Sequence, residues 1–365
     1  MKEEKFKNNI LWYNFTLCIL VVCIHAQNMH IFIEPVAWIN HAISFLVERI
    51  ACLAVPGFFM CSGYLFYRNL TWKKVTEKLK RRVFSLVIPF LIWNLLYYIL
   101  HFVARRIPYF GQLFDTTVPF SLQEFINAVF CYKYNPVFWF MLYLILFSFM
   151  SPIIYGILRQ KWVGLFVVIL VLVINFSEVL VSYIPVKTGD ILGWSFYYLT
   201  GGYIGIHWTE IVMPKKKYLP VVILGIGMCF SFVLSFVYGE SGWIYIYKMC
   251  GAAFLWYFIS AIELAQAPGW MKNTFIIYAV HQIMALFINK LTNLLFGNSM
   301  YVGGIIFLFI PVLVVVFCYF MELFMKTYFP TVWKIISGRR LVSKSKPPGE
   351  SQHDSPGVFL IKHEL

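Results

Sequence analysis

The sequence predicts an all-α protein, a polytopic transmembrane helix bundle of about ten spans with both termini cytoplasmic. Three observations predict it. Hydrophobic residues make up 61% of the chain and charged residues 13%, with a mean hydropathy of +0.75, far from the half-apolar, quarter-charged make-up of a soluble domain. Apolar runs of about 20 residues, the length that crosses a bilayer core, recur nearly end to end. The basic residues gather in alternate loops: 23 of the 30 Lys and Arg fall in segments that a cytoplasmic N-terminus would put inside, and 7 in outer loops or outer span ends. That asymmetry follows the positive-inside rule, so the net charge of +14 reads as topology and not as a nucleic-acid surface.

The elements follow in order. Residues 1–9 form a cytoplasmic N-terminal segment, 10–327 the membrane domain and 328–365 a cytoplasmic, disordered tail. The first span, 10–27, comes after Met1-Lys-Glu-Glu-Lys-Phe-Lys7 and lacks a small-residue cleavage site, so it is expected to be retained rather than cut as a signal peptide. The second, 43–67, contains Pro56, Gly57 and Gly63, which loosen a membrane helix and expose backbone groups. The third, 83–104, is entered through the basic run Lys73 to Arg82 and carries Pro89. The outer loop 105–135, with Pro108, Gly111 and Pro119, exceeds the ~15 residues of an ordinary connection and is expected to be a partly ordered lid.

Spans four to eight, 136–157, 162–178, 191–208, 218–238 and 243–264, are apolar runs, of which 191–208 is short and glycine-rich. The ninth, 274–297, and the tenth, 301–327, lead into a polar tail from Ser337 with Lys-Pro-Pro-Gly and Ser-Pro. Its last residues, Lys362-His363-Glu364-Leu365, have the form of an ER-retention signal. A cytoplasmic tail could not be read from the lumen, and the match is taken as chance. Seven of the eight cysteines lie singly inside apolar spans, with no C-x-x-C pair, and read as packing residues.

Few residues in these spans can do chemistry. His25 places an imidazole near the outer end of span one, and an ionisable group at that depth is costly enough to read as functional. Glu48 and Arg49 stand near the outer start of span two. Either Glu48 holds the His25 ring in one tautomer, as a carboxylate does in a triad, or the two charges anchor the helix end and never touch His25. Ser62 is a candidate hydrogen-bond donor to an acyl oxygen; the alternative is that Gly57, Ser62 and Gly63 let helices approach closely. Arg81 and Arg82 could bind the phosphates of an anionic donor, or serve as a plain inside-positive anchor. His281 in span nine, with Tyr278 one turn earlier, lies about 7 residues past the inner end, on the order of 10 Å deep. It is a second candidate, or a satisfied core histidine. There is no Gly-x-Ser-x-Gly elbow, no His with an Asp five residues on, no P-loop and no zinc-binding spacing, and no tightly bound cofactor is expected.

Six blocks in series resemble the membrane acyltransferase-3 family: Val21-Val-Cys-Ile-His25, Val55-Pro-Gly-Phe-Phe-Met-Cys-Ser-Gly-Tyr-Leu65, Lys80-Arg-Arg to Ile88-Pro-Phe, Phe138-Trp-Phe-Met-Leu-Tyr143, Tyr198-Leu-Thr-Gly-Gly-Tyr-Ile-Gly205 and Ile277-Tyr-Ala-Val-His281. The resemblance implies a multi-pass protein of the bacterial plasma membrane that transfers an acetyl group from acetyl-CoA to a hydroxyl of a cell-envelope glycan or lipid-linked saccharide. By that resemblance His25 is the general base, Glu48 and Ser62 assist it, and Asn14, Arg81, Arg82, Trp139, Tyr278 and His281 contact substrates. Two positions depart from the family: Asn14 stands where an arginine or lysine is common, and Val137 where a histidine often precedes the Trp-Phe block. The rival readings are a transporter or flippase for lipid-linked sugars, with His25, Glu48 and Arg49 as a relay, and a non-catalytic relative.

Overall fold

The computed structural model describes residues 2–107, 118–177, 186–239 and 242–338, and these are helical almost throughout. In chain order the helices are α1 (Lys2–Ala26), α2 (Ala37–Phe45), α3 (Ala54–Tyr67), α4 (Trp72–Arg82), α5 (Ile88–Ala104), α6 (Leu122–Phe130), α7 (Trp139–Phe149), α8 (Ser151–Leu158), α9 (Lys161–Phe176), α10 (Val186–His207), α11 (Tyr218–Val237), α12 (Trp243–Ala261), α13 (Thr274–Phe296), α14 (Met300–Tyr328) and α15 (Pro330–Ile336). A π turn and a 3₁₀ turn join α2 to α3 into one rod, Ala37–Tyr67, and a π turn joins α4 to α5 as Trp72–Ala104.

Among the described residues seven stretches are long and apolar enough to cross a membrane, and an eighth results if Pro136–Phe149 and Ser151–Leu158, bent by 64°, act as one span. The chain is a multi-pass membrane protein, and the stretches of membrane length among its described residues are fewer than the ten spans expected. Besides that bent pair, the difference lies in two elements. The expected span 162–178 is α9, 16 residues, whose length of about 24 Å falls short of the ~30 Å hydrocarbon core. The expected span 191–208 lies in α10, where Phe196, Tyr197 and Tyr198 are each 1% exposed. Neighbouring helices enclose this part of α10, so its composition need not suit lipid. At the other extreme α11 turns Val222, Ile226, Phe230, Val233 and Phe236 outward.

Two helix pairs set the positions of the candidate residues. The first is α3 with α10. A Cβ added to Gly63 would lie 2.1 Å from the Tyr198 carbonyl oxygen, and one on Gly201 would lie 1.9 Å from that of Met60. Only glycine permits backbones this close. Met60 meets Gly201 and Tyr64 meets Gly205, so the helices run parallel in one register.

The second pair is α1 with α13. Cys18 Sγ donates to the Thr274 carbonyl at 3.5 Å, and seven residues further along both helices the rings of His25 and His281 meet. The stretch leading into α13 climbs along α1: Asn8 binds the carbonyls of Leu264 and Ala265 at 3.3 and 3.1 Å, Trp12 Nε1 that of Ala265 at 2.9 Å, and Phe15 packs on Trp270 at 5.2 Å. α13 therefore begins well up the length of α1.

Residues 2–9, expected as a separate segment, are the first turns of α1, with Asn9 Nδ2 bound to Ser260 at 3.1 Å and Arg68 paired with Glu3 at 2.7 Å. After α14 the chain folds back as α15, where Trp333 is 2% exposed and the Ile336 carbonyl accepts from Trp93 Nε1 at 2.9 Å. The rest of the expected tail, 339–365, lies outside the described residues, as do 108–117 of the expected lid. Of that loop, α6 lies along α5, fixed by Tyr98 Oη to the Pro119 carbonyl at 3.4 Å and Asn94 Nδ2 to the Val129 carbonyl at 3.1 Å.

Candidate active site

His25 stands in the last turn of α1, partly buried, with its ring 4.9 Å from that of fully buried His281 in an edge-to-face arrangement. Counted from the inner ends of their own spans, the two residues are expected at different depths. The climbing stretch before α13 brings them level. His281 Nδ1 sits 2.6 Å from the Tyr278 carbonyl. A carbonyl only accepts, so in the neutral ring Nδ1 carries the proton and Nε2 presents a lone pair. That Nε2 is buried with no hydrogen-bond partner. The pair therefore places one ring nitrogen with a free lone pair, His281 Nε2, in a buried position beside His25.

A network of amides holds the end of α1 in place. Asn28, fully buried, donates to Asn289 Oδ1 and to the Gly303 carbonyl, both at 2.9 Å. Asn289 Nδ2 in turn donates to the Ala26 carbonyl at 3.3 Å, and Asn293 Nδ2 to that of Ile31 at 3.1 Å. Carbonyls at a helix C-terminus lack partners within the helix, and here α13 supplies one directly beside His25.

Tyr278 supports His281 from below. Its hydroxyl donates to the Val137 carbonyl at 2.6 Å and its ring stacks on Phe138 at 5.4 Å. Trp139 turns elsewhere, to Trp194 at 5.1 Å and Tyr143 at 5.4 Å.

Other sequence-nominated residues are not brought to His25. Glu48 is exposed on the π turn, and among the described residues no hydrogen bond or ion pair joins it to His25. Its neighbour Arg49 reaches across to the Phe232 ring at 5.5 Å. Ser62 is buried but at the wrong depth. Gly57 faces Tyr13 and Leu17, with a would-be Cβ 2.8 and 2.9 Å from them. Ser62 lies five residues inward of that level and His25 eight outward, so roughly 20 Å of helix separates the two. Asn14 is buried on α1, 4% exposed, eleven residues and about 16 Å inward of His25.

Arg81 and Arg82 part company. Arg81 pairs with Glu77 one turn back, whereas Arg82 lies over the Phe66 ring at 5.2 Å and within electrostatic reach of Tyr67, Tyr198 and Cys61. Beside this level a hollow of about 560 Å³, counting its open mouth, lies between α1, α3, α10 and α12, with Ile10, Tyr13, Cys61, Tyr64 and Trp256 in its walls.

Two polar positions escaped the sequence reading. Asn289 is eight residues beyond His281, hence on the same face of α13. Glu322, 5% exposed in α14, is held by Asn273 and Lys326; a carboxylate four residues before a lysine at a span end was its visible signal. Among the described residues no cluster of His, Cys, Asp or Glu could hold a metal ion.

A protein-family profile described as an acyltransferase domain, of the acyltransferase-3 type, matches residues 12–321. No curated protein and no solved structure matches the chain.

Proposed function

The chain belongs to this membrane acyltransferase-3 family, and from that premise we propose that it moves an acetyl group from acetyl-CoA to a hydroxyl of a cell-envelope glycan or lipid-linked saccharide. The observation that carries the reading is the His25–His281 pair, two imidazoles in ring contact on parallel helices inside the matched region. His25 takes the proton of the acceptor hydroxyl, the alkoxide attacks the thioester carbonyl, and the tetrahedral intermediate expels the CoA thiolate. A positioned base contributes roughly 10²- to 10⁴-fold in rate. His281, with its proton fixed on Nδ1, turns a lone pair toward the same region and positions the His25 ring.

The donor enters from the inner face with its phosphates at Arg82. From the level of Phe66, where Arg82 lies, to His25 is roughly 25 Å of helix, most of which the extended pantetheine arm spans, with buried Asn14 between the two. The hollow beside Cys61 and Tyr13 supports this path. Both termini then lie on the cytoplasmic side, with the acceptor at the outer face.

The test combines mass spectrometry of envelope glycans with thiol release from acetyl-CoA in membranes. Wild type adds acetyl mass and releases thiol. His25→Ala loses both, His281→Ala reduces both, Arg82→Ala raises KM for acetyl-CoA more than Arg81→Ala does, and Asn14→Arg strengthens donor binding. A flippase of lipid-linked sugars releases no thiol, so glycans unchanged by His25→Ala with no thiol released would overturn acyl transfer.

A further inference from the structure

Outward of the α3–α10 contact, one wall of the bundle is built from aromatic rings that are neither fully buried nor fully exposed. Trp139 of α7 lies 5.1 Å from Trp194 of α10 and 5.4 Å from Tyr143. Tyr245 of α12 stacks on Tyr197 at 6.0 Å, and Tyr197 touches Trp194 at 6.0 Å. Trp139, Tyr143, Trp194, Tyr245 and Tyr132 are all half-buried. Tyrosine and tryptophan in this state present an apolar face with a polar edge that reaches water.

One carboxylate stands at this wall. Asp190, exposed on α10, has no hydrogen bond or ion pair among the described residues. Its charge is felt at Tyr132, Tyr143 and Tyr245. Gly193, nearly one turn further along α10, lets the Tyr245 hydroxyl approach to 2.7 Å from where a Cβ would stand, which fixes that hydroxyl on the α10 surface close to Asp190. Counting along the helices from the Met60–Gly201 and Gly57–Tyr13 contacts, Asp190 and His25 lie within about one helical turn, ~5 Å, of the same depth.

We propose that Asp190 and the rings of Trp139, Tyr143, Trp194 and Tyr245 form a saccharide-binding subsite that holds the acceptor. The assignment to the acceptor rests on the acyl-transfer reading above. A pyranose has an apolar C–H face that packs on aromatic rings and an edge of hydroxyls that a carboxylate binds through charge-assisted hydrogen bonds. A quaternary ammonium ion is the other ligand that carboxylates and aromatic rings attract. It needs rings splayed around a common centre, whereas Trp139 touches Tyr143 and Trp194, and Tyr245 joins Trp194 through Tyr197, so the rings run side by side.

The experiment uses purified full-length protein in lipid nanodiscs on an array of hexoses, deoxyhexoses and N-acetylhexosamines, with choline titrated separately by tryptophan fluorescence. The variants are Asp190→Asn, Tyr245→Phe, and Glu210→Gln as a carboxylate-loss control at the exposed turn after α10; the melting temperature of each reports folding. The wild type and Glu210→Gln retain the same saccharides. Asp190→Asn weakens that binding by about tenfold or more, the loss expected for a hydrogen bond to a charged group, and Tyr245→Phe weakens it less. No saccharide retained by the wild type, whether or not choline binds, or equal retention by Asp190→Asn, overturns the proposal. Saccharide binding that needs Asp190 without any acetyl transfer would keep the subsite and remove the acyl-acceptor reading. Acetyl transfer that needs His25 and ignores Asp190 would do the reverse.

Discussion

Replacing Gly201 with alanine puts a methyl group 1.9 Å from the Met60 carbonyl oxygen, 2.7 Å from the Met60 carbonyl carbon and 2.8 Å from its Cα. All three are backbone atoms, so no side chain can rotate away. To reach ordinary contact α3 and α10 must part locally by roughly 1.5 Å, and overpacking of this kind costs about 1–3 kcal/mol, occasionally more. The upper end is expected here, because Gly63 against Tyr198 at 2.1 Å and Gly205 against Tyr64 at 2.7 Å hold the same two helices together on either side. The assay is apparent melting in detergent micelles at a fixed heating rate, since a membrane protein of this size unfolds irreversibly and the scan rate matters. Gly201→Ala lowers the melting temperature by several degrees. Gly269→Ala, at a position with no atom within 4 Å of the added Cβ, leaves it unchanged within error. Equal melting of Gly201→Ala and wild type would refute the close backbone contact, and with it the depth argument that places Asp190 level with His25.

Asn289→Ala removes the acceptor of Asn28 Nδ2 and the donor to the Ala26 carbonyl; each buried group left unpaired costs about 1–3 kcal/mol. Faster amide hydrogen exchange at residues 22–30 is expected, with activity falling as His25 loses its fixed place; unchanged protection there would argue against the amide network. Beside the start of α1, hydrogen bonds from Lys217 and Lys5 lower the Glu263 carboxyl to about 2. Because folding depresses this group, its contribution is present above the ordinary carboxylate range and is lost as pH falls through about 2. The group is fully exposed, so the effect is small and screened by salt. The melting difference between wild type and Glu263→Gln should shrink as pH drops from 5 towards 2, and also at 1 M salt; a difference constant with pH would place its origin elsewhere.

The helices were legible because their cause is local. Apolar runs of membrane length identify a spanning helix from composition alone, and an imidazole in such a run marks His25 whatever packs around it. The glycines of Tyr198-Leu-Thr-Gly-Gly-Tyr-Ile-Gly205 were visible too, although whether Gly63 only loosened its helix or let another approach closely was open until the α3–α10 register set it against Tyr198. Which residue faces His25 could not be read along the chain. Glu48 was nominated because it stands near the outer start of span two, which could pack antiparallel to span one, yet the π turn leaves its carboxylate exposed. His281 was assigned a shallower level because depth was counted from the inner end of its own span, and the climb of Leu264 to Trp270 along α1 cancels that offset. Arg81 and Arg82, equal as letters, are separated by about 100° around one helix, which sends one to Glu77 and the other to Phe66. Composition decides that a segment is a membrane helix, whereas depth, facing and partner follow from contacts between segments far apart in the chain, and these exist only once the bundle has closed.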